Sequence, residues 1–396
     1  VRTHVAALIL ALALVVAAAL TGSPVSAAMA EDRLVVTIKL PGVNGSMVSP
    51  SGRMSYLPPN PAERRKHVAQ QAREIAAEFD LVIEEEWPIP AIGVNCIVVR
   101  LQFPERREQV MDALSMHEDV DAVQSLNLFT ASTAQSVSRG IDQGVEHNVA
   151  RNVPGADILQ QLSSRASGRQ VSIAVIDTGA DLAHRELRGM QISSRDLVED
   201  ESTTSTAFPP EAHGTTILGL LVARGENGVG VRGHVPDADV RLLRACWEET
   251  DTGSPAKCNT FTLAKALSDV IESPVDIVNL SISGPRDPLL ERLGNILTGK
   301  QVLVVAAGDS RNGFPGSVSG SLLAVESPLR NASAMSLLPG NRYGLRKGSS
   351  IDAIRLTAVL ALLKELHPDV TADNLMTYLD AHARDRENVT SSNKGI

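Results

Sequence analysis

The first apolar run extends from Val5 to Leu20, preceded by Arg2 and His4 and broken by Thr21, Gly22, Ser23 and Pro24. It is short for a membrane span, which needs about 20 residues, and Ala28-Met29-Ala30 then offers an A-x-A cleavage site. Residues 1–30 therefore read as a secretory signal peptide. Between 31 and 131 the pattern predicts a small α+β unit. Arg33–Leu40 (RLVVTIKL), Val94–Leu101 (VNCIVVRL) and Val120–Phe129 are short and β-rich, as strands are. Ala62–Phe79 sets Val68, Ile75, Ala76 and Phe79 among charges, which predicts an amphipathic helix, and Pro104 opens a second helix over Glu105–Met116. Residues 132–152 are Ser-, Thr-, Gln- and Gly-rich without periodicity, the composition of an exposed linker where proteolytic nicking falls.

From 153 to 396 strands alternate with helices. Val171–Ile176, Val240–Leu243, Val275–Leu280 and Val302–Ala306 are nearly continuous apolar runs, expected of parallel strands buried on both faces. Helical patterns lie between or after them at Thr215–Ala223, Thr260–Ile271 and Ser350–Leu366. The alternation predicts an α/β domain, doubly wound around a mostly parallel sheet.

Composition adds little until the cysteines are placed. The hydrophobic content of 43% is ample for a core, and the net charge of -9 argues against a nucleic-acid partner, which wants a basic face. Cys246 and Cys258 can close a small disulfide loop in an oxidising compartment, leaving Cys96 over. No CxxC or clustered histidine suggests a metal site. The acidic, Ser/Thr-rich stretch from Asp196 to Glu211 reads as a solvated loop, with structural calcium as the lesser alternative. No cofactor is required by anything in the chain.

Three chemistry-bearing residues stand at the ends of predicted elements. Asp177 closes VSIAVI and precedes Thr178-Gly179, His213 opens the helix HGTTILGLL, and Ser350 opens the apolar helix after Gly348. Serine is a poor nucleophile until a base takes its proton; histidine does this, and a buried carboxylate orients the ring. Thirty-six residues separate Asp177 from His213 and 137 separate His213 from Ser350, so only a fold can bring the three together. The absence of a G-x-S-x-G elbow and the order Asp, His, Ser disfavour an esterase of the α/β-hydrolase kind.

These surroundings resemble those of the subtilisin-like serine proteases. VSIAVIDTGADLAHREL is similar to the family's aspartate segment and HGTTILGLLVARGENGVGVRGHVPDA to its histidine segment; DIVNLSISGP resembles the strand that pairs with substrate. VLVVAAGDSRNGFPGSVSG resembles the oxyanion segment and PGNRYGLRKGSSIDAIRLTAVLALL the nucleophile segment. The resemblance implies a serine endopeptidase acting on proteins or peptides, with Asp177, His213 and Ser350 as its triad. It places Ser281, Ile282, Ser283 and Gly284 along the substrate cleft and Asp309 at the oxyanion hole. It further implies that 31–131 is a ferredoxin-like propeptide that inhibits the mature enzyme, that the chain cuts itself near 129–140, and that the product is periplasmic or extracellular and free of the membrane once the signal peptide is removed. His184 falls at a structural position of the aspartate segment.

The chain also departs from the family's pattern. Asp309 stands where asparagine is usual, and an ionised carboxylate cannot donate a hydrogen bond to an oxyanion. The stretch from Glu326 to Gly348 is about twenty residues short, which predicts a missing strand and loop beneath the site. Asp352 and Arg355 replace small or neutral residues and are spaced to pair with each other. These departures define the alternative reading, a catalytically impaired relative that binds peptides or partner proteins.

Overall fold

The structure is a computed structural model that describes residues 32–40, 61–131, 135–136, 156–199, 208–225, 230–249, 255–307, 312–320, 322–323 and 333–375. The chain divides into two compact units, one ending at Leu126 and the other beginning at Asn127.

The first unit contains β1 (Arg33–Lys39), α1 (Pro61–Glu78), β2 (Leu81–Ile89), β3 (Val94–Leu101), α2 (Arg107–Met116) and β4 (Val120–Ser125). Its antiparallel sheet has the order β2-β3-β1-β4, the βαββαβ arrangement of ferredoxin-like folds. Leu34, Val36 and Ile38 alternate along β1 and are fully buried with Ile75 of α1, Leu114 of α2 and Val99 of β3. Period two on the strand and near period four on the helices thus meet in one core. Strand β2, with its charged run Glu84-Glu85-Glu86, has no counterpart among the predicted elements. It is an edge strand: its glutamates are exposed, Glu84 pairs with Arg33 and with Arg100 across the sheet, and Pro88 is tolerated there.

The second unit runs, in chain order, β5 (Leu128–Ala131), β6 (Gln135–Ser136), α3 (Ala156–Ser163), β7 (Ser172–Asp177), β8 (Ile192–Asp196), α4 (Ala212–Val222), β9 (Asp239–Arg244), β10 (Cys246–Trp247), β11 (Lys257–Asn259), α5 (Thr260–Glu272), β12 (Ile277–Leu280) and β13 (Ile282–Ser283). It continues with α6 (Pro288–Gly299), β14 (Leu303–Ala306), β15 (Leu322–Leu323), β16 (Ala334–Leu338), β17 (Arg342–Lys347) and α7 (Ser349–Leu366). Six strands form a wholly parallel sheet in the order β15-β14-β12-β7-β9-β8. One face, with Ile173, Val175, Val240, Leu242, Ile277 and Val305, packs with α3, α4 and α7 in a single buried cluster. α5 and α6, packed on each other, belong to the other layer. From β7 the chain winds one way to β8 and β9 and the opposite way to β12, β14 and β15. The carboxyl ends of β7 and β12 therefore flank a topological switch point, where α/β folds build their sites.

One reading is corrected here. The predicted strand Val120–Phe129 ends at Ser125, and a separate strand, β5, belongs to the second unit. The segment before Gly348 contains a complete antiparallel hairpin, β16–β17, with Gly340 and Asn341 at positive φ in its turn. Leu337 sits against Gly219 of α4, where a Cβ would come within 2.5 Å of its Cγ. Across the same contact the Thr216 hydroxyl donates to the Leu337 carbonyl and the Ser336 hydroxyl donates to the Thr216 carbonyl.

Candidate active site

Asp177 closes β7 and is fully buried. His213 lies in the first turn of α4, and Ser350 in the first turn of α7, where residues 350–363 are all buried. Helix α7 is apolar nearly all round, which makes it an interior helix and a rigid base for its first turn. The Asp177 Oδ1 lies 2.6 Å from His213 Nδ1, and His213 Nε2 lies 3.2 Å from the Ser350 hydroxyl. Asp177 also accepts the Thr178 N–H at 2.6 Å. With Nδ1–H donating to the carboxylate, Nε2 is left as the acceptor facing Ser350. The arrangement can take a proton from the serine and stabilise the imidazolium that results. α4 comes this close because position 214 is glycine; a Cβ there would lie 2.4 Å from the Gly179 carbonyl.

A charged network beside this group has no local signature in the sequence. Glu211 is tied to the Gly179 N–H and to Arg244, whose Nη1 reaches Asp196 at 2.9 Å. Arg244 pairs in register with Asp177. Burial lowers its pKa, but the bonds to Glu211 and the charges of Glu211 and Asp196 outweigh this and hold it above the usual arginine value. The two ends of the acidic segment thus converge on a guanidinium. Among the described residues no group of three or more His, Cys, Asp or Glu is arranged to hold a metal ion.

The cleft residues occupy a second, antiparallel sheet of order β10-β11-β5-β13. Ile282 pairs with Ala131 and Ser283 with Thr130, while Lys257, Cys258 and Asn259 pair with Thr130, Phe129 and Leu128 on the other side. The segment resembling a substrate-pairing strand therefore does pair with an extended peptide, and the peptide is the chain's own β5. Phe129 is buried edge-to-face on Phe314, with ring centroids 5.8 Å apart, in the space left by Gly284. The Ser281 carbonyl lies 3.4 Å from the Ser350 hydroxyl. β6 then pairs with β17, Gln135 opposite Lys347, three residues before Ser350.

The remaining expected residues are placed as follows. Cys246 and Cys258 form a disulfide joining opposed positions of β10 and β11, and Cys96 is buried outside that crosslink. His184 is buried, packs edge-on against Tyr343 and accepts the Glu186 N–H, a structural role. Asp352 and Arg355 are buried and pair at 3.4 Å, and Arg355 also donates to the Ser333 carbonyl. Asp309 and the signal-peptide stretch lie outside the described residues. No helix among the described residues is long and apolar enough to cross a membrane.

Residues 168–336 match the subtilase family (Peptidase_S8). The major intracellular serine protease of Bacillus subtilis is 26% identical over 226 residues, covering 50% of this chain and 69% of that protein. The intracellular serine protease of Paenibacillus polymyxa is 28% identical, covering 54% and 72%. Subtilisin E of Bacillus subtilis is 25% identical, covering 66% and 71%. Among solved structures, fervidolysin from Fervidobacterium pennivorans, a keratinolytic enzyme related to subtilisin, superposes with a TM-score of 0.60 at 16% identity. The match spans 86% of this chain and 55% of that one, and at this identity it speaks to the fold alone. Taken with the sheet order, the subtilase match over residues 168–336 and these relatives support a subtilisin-like serine endopeptidase.

Proposed function

We propose that Ser350 is the nucleophile, that His213 is its general base and then the acid for the leaving amine, and that Asp177 orients His213. Asp309 and the Ser350 backbone N–H would line the oxyanion hole. We further infer that the chain is an exported precursor that cuts itself at one of the bonds between Ala131 and Gln135, residues 31–131 then remaining as an inhibitor of the rest of the chain. The observation that carries this is the course of the chain through the cleft. β5 pairs with Ile282–Ser283 on one side of Ser350, and β6 pairs with Arg346–Lys347 on the other. A substrate spanning an endopeptidase site must do the same, because strand pairing on both sides holds the reacting carbonyl in attack geometry. The intervening residues 132–134 lie outside the described residues. A binding protein without activity is the second reading, favoured by Asp309 in place of asparagine.

The test is expression of the full chain with and without Ser350→Ala. The wild-type protein is expected to yield a mature form whose first residue lies between 132 and 135, and the variant to stay uncut. A folded wild-type chain that remains intact would favour the binding protein. A Ser350→Ala chain that matures alone would remove Ser350 from the mechanism.

A further inference from the structure

Helix α4 is not capped by its own N-cap residue. Glu211 occupies that position, but its side chain makes no capping bond. Its carboxylate accepts the Gly179 N–H, the Glu248 N–H at 2.9 Å and two bonds from Arg244. The cap is supplied by Glu248, just after β10. Its two oxygens accept the backbone N–H groups of Ala212 at 3.0 Å and of His213 itself at 2.7 Å. One carboxylate thus holds the histidine's own backbone, and a second holds the turn that follows Asp177. The Glu211 and Arg244 side chains are 12% and 7% exposed, so these charges act where water screens them little.

We propose that Glu248 and Glu211 are positioning residues for His213: a two-carboxylate clamp that fixes the histidine helix against the Asp177 turn and favours the imidazolium by charge. The inference rests on His213 being the general base. From β7, α4 and α7, Asp177 and Ser350 face the ring directly. β8 and β9 contribute Asp196 and Arg244 around Glu211, and β17 contributes Arg346. The Arg346 guanidinium is half-buried and held below the usual arginine range by burial, with the charge of Glu248 opposing that shift and Arg342 adding to it. The carboxylates outnumber the guanidiniums, so the local field is negative where a positive ring must form. Capping a helix N-terminus also offsets the dipole that would otherwise disfavour that cation.

The test is Glu248→Gln, which keeps the side chain's shape and removes its charge, read in two ways. In active enzyme, the acid limb of kcat/KM is expected to move to lower pH by about half a unit to one unit, while kcat on the plateau falls about tenfold with KM less affected. In Ser350→Ala protein, the His213 ring titration followed by NMR is expected to move by the same amount. Arg346→Gln should shift both the other way, which guards against misfolding of the first variant. A fall in kcat with both titrations unmoved would reduce the clamp to a structural cap and overturn the proposal. A His213 titration that shifts in protein without any peptidase activity would uphold the clamp and refute the catalytic reading instead.

Discussion

Gly284 gives the sharpest handle on the cleft. A Cβ at this position would meet Phe129 Cδ1 at 2.2 Å, so Gly284→Ala must expel the ring or displace the strand that carries it. Phe129 is 1% exposed, and full burial of such a side chain contributes roughly 1.5–3 kcal/mol. Its edge-to-face contact with Phe314 adds about 0.5–1.5 kcal/mol. About 3 kcal/mol is therefore at stake, a factor of roughly 100 at 1.4 kcal/mol per decade. The assay compares kcat/KM of matured enzyme on two peptides, one bearing the chain's own Asn127-Leu128-Phe129-Thr130-Ala131 before the scissile bond and one with alanine in place of the phenylalanine. Wild-type enzyme is expected to prefer the first by about 100-fold, and Gly284→Ala to reduce the preference below tenfold by losing the aromatic peptide alone. Equal losses on both peptides, or an unchanged preference, would refute the assignment of this pocket to the bound strand.

Three further outcomes follow from other parts of the molecule. Replacing Cys246 and Cys258 with serine removes a crosslink across 12 residues, worth on the order of 3 kcal/mol, and should lower the melting temperature by about 6–12 °C; a change under about 2 °C would count against a structural disulfide. His234 has a buried Nε2 without a hydrogen-bond partner, and burial, aided by the Arg355 charge, pushes its pKa down to about 4. The unfolded chain binds a proton near pH 6.5 that the folded ring refuses. Stability is therefore full above that pH and falls by on the order of 3 kcal/mol toward pH 4; urea unfolding in a Ser350→Ala background should show most of this loss abolished by His234→Leu. Finally, Asp309→Asn is expected to keep or raise turnover, since an amide can donate to an oxyanion and a carboxylate cannot; a large fall in kcat would contradict this.

What the sequence made legible follows from how locally each feature is encoded. The apolar strands that became β7, β9, β12 and β14 are buried on both faces and announce themselves, as do Asp177, His213 and Ser350 at element ends. The edge strands did not: Ile192–Asp196 is polar and Glu84–Glu86 is charged, because one side of each needs no burial. Helix α6, whose start is marked by Asp287 capping and Pro288, was passed over although its signals are present. The β16–β17 hairpin was hidden by a count of residues against relatives, which says nothing of how a shorter segment folds. The clamp of Glu211, Glu248 and Arg244 was invisible for a different reason. Its parts lie on three segments, and each charge alone looks like an ordinary surface residue until the sheet register sets Arg244 beside Asp177.

The most direct test of the central claim is labelling of the purified, matured protein with a fluorophosphonate, which reacts only with an activated serine. The account predicts stoichiometric labelling that Ser350→Ala abolishes and that His213→Ala reduces by at least 100-fold in rate, of the order lost with a general base. A folded protein free of its first unit that does not label, or that labels equally without Ser350, would contradict it.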